Sequence, residues 1–150
     1  EESGFPENSF DLVSARHVIE HVPDPKGFVV SLANATKPGG KILIRTPNNL
    51  ALGKKYFGVH WFPNEMPRHL MLFTPNTIDK LLTEQGFVRC QLKTLASPRF
   101  VLKSLDIKRE NKGKSFRKNP LYRLLGQFYA LVARLMGQGD EIYALYQKKA

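Results

Sequence analysis

The side chains best suited to chemistry sit in one short stretch: His17, Glu20 and His21, in the pattern H-x-x-E-H. If that stretch is helical, His17 and His21 lie four apart and share a face with Glu20. Imidazole nitrogens with a carboxylate suit zinc, manganese or iron, and magnesium less well. A divalent ion held there would lower the pKa of a substrate hydroxyl. Without a metal, His21 or His69 is a candidate general base, because imidazole titrates near neutrality. The structural alternative is that Glu20 and His21 hydrogen-bond a neighbouring loop and shape a pocket.

Three other features bear on chemistry. Ser14, Ala15, Arg16 and His17 sit just past the apolar run Phe10 to Val13, at the C-terminal end of a predicted strand, where open α/β sheets bind ligands. Tyr56, Phe57, His60, Trp61 and Phe62 belong to one long loop, where rings can line an acceptor pocket or pack the loop on itself. Gly137-Gln138-Gly139 is the only G-x-G, but it precedes a predicted strand and lacks a third glycine, so it reads as a turn.

The elements that must position these residues follow from patterning. Phe10 to Ser14 reads as a strand buried on both faces. Asp24 and Pro25 are a cap and first residue for a helix to about Ala35, with Phe28, Val29, Leu32 and Ala33 on one face. Lys37-Pro38-Gly39-Gly40 ends it, and Lys41 to Arg45 is the next strand. Strand, helix, strand with a connection of that length is a βαβ unit with parallel strands. Residues 46 to 74 read as loop. Thr74 and Pro75 then open a helix with Ile78, Leu81 and Leu82 inward, stopped at Gly86. Phe87 to Leu95 alternates as a strand, and Asp140 to Lys148 reads as a closing strand.

Between those strands, residues 96 to 139 look like an insertion. Its first part is polar and basic, with Lys103, Lys108, Arg109, Lys112, Lys114, Arg117 and Lys118. Its second part, Pro120 to Met136, is an amphipathic helix with a stripe of Leu121, Leu124, Leu125, Phe128, Leu131, Val132 and Leu135. That stripe is expected to face the core. Contact with an anionic membrane is the alternative, since Arg123 and Arg134 flank it.

The chain has 150 residues and 42% hydrophobic content, enough for a packed domain or part of one. Lys and Arg number 23 against 13 Asp and Glu, a net charge of +10 that favours acidic partners. No aromatic platform or groove-reading motif accompanies that charge, which argues against nucleic acid. A single cysteine, Cys90, excludes an internal disulfide framework and fits a reducing, cytoplasmic setting, with a peripheral membrane position if the basic helix lies on lipid.

Taken in order, Phe10-Asp11-Leu12-Val13, Val18-Ile19-Glu20-His21-Val22, Asp24-Pro25, Lys37-Pro38-Gly39-Gly40 and Thr46-Pro47-Asn48-Asn49 resemble the second half of class I S-adenosylmethionine (SAM)-dependent methyltransferases. The nearest group includes quinone-biosynthesis and polysaccharide-linked enzymes. His69, Phe73-Thr74 and Leu81-Leu82 before Gly86-Phe87 extend the match. The resemblance implies a Rossmann-like α/β sheet of which this chain supplies strands four to seven, the last antiparallel. It places Ser14, Ala15, Arg16 and His17 beside the methionine part of SAM, mostly through backbone.

The family's glycine-rich cofactor turn and its ribose-binding acid belong to earlier strands. The expectation is therefore a fragment, a half that pairs with another chain, or a dimer. The implied activity is methyl transfer to the oxygen of a small-molecule or lipid-linked acceptor, with a non-catalytic binding or assembly module as the alternative. The H-x-x-E-H stretch is also similar to the E-x-x-E-H metal motif of small-RNA 2′-O-methyltransferases, with His17 replacing the first glutamate and His69 as the later histidine.

Overall fold

In the computed structural model, residues 5–65, 67–109 and 116–149 are described. A four-stranded sheet forms the frame. Its strands are β1 (Phe10–Arg16), β2 (Thr36–Pro47), β3 (Phe87–Leu95) and β4 (Glu141–Lys148), in the spatial order β1-β2-β4-β3. β1 runs parallel to β2, whereas β4 is antiparallel to both β2 and β3. The last strand in sequence thus enters between its predecessors and runs the other way, as the resemblance implied.

The helices start where the caps placed them. Helix α1 (Pro25–Ala35) opens with the Asp24 carboxylate accepting from the Gly27 N–H at 3.0 Å. Helix α3 (Pro75–Thr83) opens with a reciprocal box, in which the Thr77 N–H donates to Thr74 Oγ1 and the Thr74 N–H to Thr77 Oγ1. Both exploit the orphan N–H groups of a helix start. The two helices pack on the sheet through Val29, Ala33, Ile78 and Leu82. From the sheet, Ile42, Ile44, Ile142, Ala144 and Tyr146 meet them, all wholly buried. The alternation of Ile142, Ala144 and Tyr146 is the period of two expected of a strand.

Several expectations need correction. β1 is not buried on both faces: of its residues only Ala15 is buried, and Leu12 is 57% exposed. The cause is position, since β1 is an edge strand with β2 as its one partner among the described residues. Residues 46 to 74 are not a plain loop, because they hold helix α2 (Leu52–Phe57) and two 3-10 turns, Gly58–His60 and Phe62–Asn64.

The insertion is helical, as expected, and holds two helices, α4 (Pro98–Lys108) and α5 (Pro120–Leu135), the first of them in its lysine-rich part. α4 buries Val101 and Leu102 and keeps its lysines outside, with Lys103 over the Phe62 ring and Lys108 over the Tyr56 ring. Lys112 and Lys114 lie outside the described residues.

These helices share a second core with the segment after β2. Ala51, Phe57, Trp61, Val101 and Leu102 form it, flanked by Phe100, Tyr122 and Tyr129. Gly53 permits the approach: a Cβ there would stand 2.2 Å from the Trp61 ring. The sheet end that carries the candidate residues is therefore bordered by a small helical unit.

The stripe on α5 is also turned the other way from expectation. Gly126, Ala130 and Ala133 make its buried face, while Leu121, Leu124, Leu125, Phe128, Leu131 and Leu135 point outward. Small residues let α5 sit close to α4, with the site of a Gly126 Cβ only 3.1 Å from Pro98 Cβ.

Candidate functional site

The H-x-x-E-H stretch is not a helix. His17 has a left-handed φ of 53°, and only Ile19–His21 form a single 3-10 turn. A non-glycine residue in that region is uncommon and turns the chain sharply. The turn splits the motif into two groups joined by Glu20.

The first group centres on His17. Its Nδ1 lies 3.2 Å from Glu20 Oε1 and its Nε2 lies 2.7 Å from Glu141 Oε1. Both ring nitrogens therefore face carboxylates. The hydrogen bond to Glu141, then that to Glu20, raise the imidazole pKa to about 9 against the cost of burial. Two carboxylates thus favour the charged form of the His17 ring. Glu20 is wholly buried. Burial pushes its carboxyl up, but hydrogen bonds from His17, the backbone and Thr46 hold it below the usual range. The Thr46 hydroxyl donates to Glu20 Oε2 at 2.9 Å. Glu141 is held low in the same way, burial being outweighed by His17 and Arg45. Arg45 Nη2 pairs with Glu141 Oε2.

The second group joins Glu20 to His21 and His69. These three offer ligand atoms within 4.8 Å of one another. The two rings meet edge to face, with centroids 4.7 Å apart. His21 Nδ1–H donates to the Arg68 carbonyl at 2.8 Å, and His69 Nδ1–H to the Pro63 carbonyl at 2.7 Å. Carbonyl oxygens only accept, so Nδ1 carries a proton in both rings, and in the neutral tautomer the lone pair lies on Nε2. A carbonyl on Nδ1–H is how proteins orient metal-binding or basic histidines. The Leu70 N–H donates to the Glu20 carbonyl at 2.8 Å and so ties the His69 segment to the turn. The structure thus brings together Glu20, His21 and His69, and sets His17 apart as their neighbour.

Ser14, Ala15, Arg16 and His17 follow one another at the end of β1. Ser14 and Arg16 are exposed and Ala15 is buried. On the side of β1 away from β2, the backbone has no strand partner among the described residues.

The aromatic segment divides. Phe57 and Trp61 stack at 5.9 Å and are buried, and Phe62 stacks on Phe100 at 6.0 Å, so these rings mainly build the second core. Tyr56 and Phe57 also line an apolar pocket of about 580 Å³ with Leu52, Val101, Leu105 and Tyr129. Beside it, Tyr129 donates to the buried Asp140 carboxylate and accepts from the Gly53 N–H at 3.0 Å. Burial raises the Asp140 pKa to about 6. Gly137 has φ 65°, and Gly139 lies so close to the Leu95 backbone that a Cβ would stand 2.7 Å from it. The G-x-G is a turn.

Glu141, Arg45 and Thr46 were not singled out by sequence. Glu141 lies 124 positions after His17 along the chain. Its one local signal is a pair of acids, Asp140-Glu141, at the mouth of an otherwise apolar strand.

A methyltransferase-domain family matches residues 1–92. A ubiquinone biosynthesis O-methyltransferase of Idiomarina loihiensis is 36% identical over 76 residues, covering 47% of this chain and 31% of the relative. Another, of Rhodopseudomonas palustris, is 34% identical over 83 residues, covering 51% and 33%. The chain spans about a third of the length of these curated relatives. Among solved structures, a SAM-dependent methyltransferase of Thermotoga maritima matches with a TM-score of 0.61 at 14% identity, over 97% of this chain and 59% of that one. At that identity the likeness is one of fold.

Proposed function

Because this chain belongs to the class I SAM-dependent methyltransferases, we propose that it carries the acceptor side of an O-methyltransferase site, with Glu20, His21 and His69 facing the acceptor hydroxyl. The observation that carries this reading is the pair of histidines held as the same tautomer by backbone carbonyls beside a buried glutamate. SAM, when bound, supplies a methyl already activated by its sulfonium, so the products are a methyl ether and S-adenosylhomocysteine.

The chain's own residues do the rest. Ser14 to His17, at the C-terminal end of β1, hold the amino-acid part of the cofactor. His21 or His69 takes the acceptor's hydroxyl proton at Nε2, and the freed oxygen lone pair forms the new bond to carbon. Much of the rate comes from holding that oxygen in line. In the alternative to a histidine base, Glu20, His21 and His69 would hold a divalent cation through those same Nε2 atoms, and the ion would supply the lowering of the hydroxyl pKa. His17, in its charged form, keeps the Glu20 carboxylate charged and fixed. A small or lipid-linked phenol suits the apolar pocket on the segment after β2. The likeness to ubiquinone biosynthesis O-methyltransferases supports oxygen as the accepting atom.

The test is steady-state methyl transfer to a catechol by the full-length protein and by Glu20→Gln, His21→Gln and His69→Gln. General-base loss lowers kcat by about 10²–10⁴-fold, with S-adenosylhomocysteine affinity kept. Turnover within threefold of the parent in all three variants contradicts the assignment.

A further inference from the structure

The outer face of α5 is unusual for a helix packed on a soluble core. Leu121, Leu124, Leu125, Phe128, Leu131 and Leu135 are 53 to 78% exposed. Their spacing puts them on one stripe along a 16-residue helix, a length of about 24 Å. Scattered exposed leucines are ordinary, but a continuous row of large apolar side chains marks an interaction surface. The helix meanwhile buries glycine and alanine. Ordinary amphipathic packing would have put the leucines inside. The sequence has small residues where α5 meets α4 and keeps its large apolar ones for something else.

Charge identifies the occupant. α5 carries Arg123 and Arg134 and no acidic residue. Residues 96 to 139 hold 10 of the chain's 23 Lys and Arg, against Asp106 and Glu110 as the only acids. A second copy of the chain would bring a like-charged segment against this one, which opposes self-association. An anionic bilayer offers the opposite sign together with an apolar interior. Helices with leucine and phenylalanine on one face and basic residues at its borders lie in the plane of such a surface. No helix among the described residues is long and apolar enough to cross a membrane, so the contact would be lateral.

We propose that α5 is a membrane-surface helix, inserting the Leu121–Leu135 stripe among acyl chains and setting Arg123 and Arg134 against anionic headgroups. The same placement sets the apolar pocket between α2, α4 and α5, whose wall includes Tyr129 of α5, close to the lipid. This inference stands apart from the identity of the reaction, since it needs neither cofactor nor acceptor.

The experiment is flotation of the full-length protein with vesicles of phosphatidylcholine alone and of phosphatidylcholine with phosphatidylglycerol. The expected result is binding to the anionic vesicles, weakened by salt, and little binding to the neutral ones. Leu124→Glu with Phe128→Glu should cut partitioning at least about tenfold per substituted residue. Circular dichroism and the urea midpoint of that variant should match the parent, because both side chains are exposed. Three results would overturn the proposal: no binding to anionic vesicles at micromolar protein, undiminished binding of a folded double variant, or light scattering that shows a dimer which the double variant converts to monomer. The last would assign the stripe to a second copy of the chain.

Discussion

Replacing His17 with glutamine should erase a specific band of pH-dependent stability. His17 sits between two carboxylates, Glu20 and Glu141, both less than a tenth exposed. Its folded pKa is raised to about 9 from an unfolded value of 6.5. A raised pKa means that the folded state holds the proton more tightly. The stabilisation is therefore complete below pH 6.5 and disappears as pH rises through 9. A shift of that size corresponds to about 3 kcal/mol. The His17 side chain is 43% exposed, and solvent screening reduces this to about 1–2 kcal/mol.

Urea unfolding in metal-free buffer between pH 6 and 10 reads it directly. The parent should lose about 1–2 kcal/mol relative to His17→Gln across that interval. At pH 6.5 the variant should be less stable than the parent by about 1–2 kcal/mol, because Glu20 loses its one cation among the described residues while Arg45 still serves Glu141. Parallel curves for the two proteins, or a His17 ring that titrates near pH 6.5 by NMR, would refute the reasoning.

Other expectations follow from the same contacts. Gly53→Ala should destabilise the helical unit by about 1–3 kcal/mol, measured by thermal unfolding, because the new Cβ meets the Trp61 ring and the Tyr129 hydroxyl. Asp140, whose buried carboxyl is pushed up to about 6, contributes stability below pH 4 that fades as pH rises through 6. Asp140→Asn should flatten that dependence in urea titrations. Any one-to-one binding of zinc or manganese, titrated calorimetrically, should be abolished by His69→Gln. A retained endpoint in that variant would remove His69 from the ligand set.

Much of the fold was legible because its signals are local. Asp24-Pro25 and Thr74-Pro75 mark helix starts through caps that act within four residues. Ile142, Ala144 and Tyr146 alternate because one face of β4 meets helices. The site was legible as residue types but not as geometry. H-x-x-E-H suggested a helical face, and nothing local announced that His17 would turn left-handed and bind Glu141, a partner supplied by the final strand. Helix α4 was hidden by its lysines, whose ammonium groups sit over aromatic rings while Val101 and Leu102 go inward. α5 misled in the opposite sense. Its strongest periodic signal is the apolar stripe, and periodicity tells which side chains share a face without telling which face is inside.

The central claim is that this site transfers a methyl group to oxygen. It is tested most directly by incubating the full-length protein with a catechol and SAM labelled isotopically in its methyl group, then locating the label by NMR. The account predicts a labelled methyl ether, formed together with S-adenosylhomocysteine and lost in the Glu20→Gln and His69→Gln variants. A label found on nitrogen or carbon, or ether formation that survives both substitutions, would contradict it.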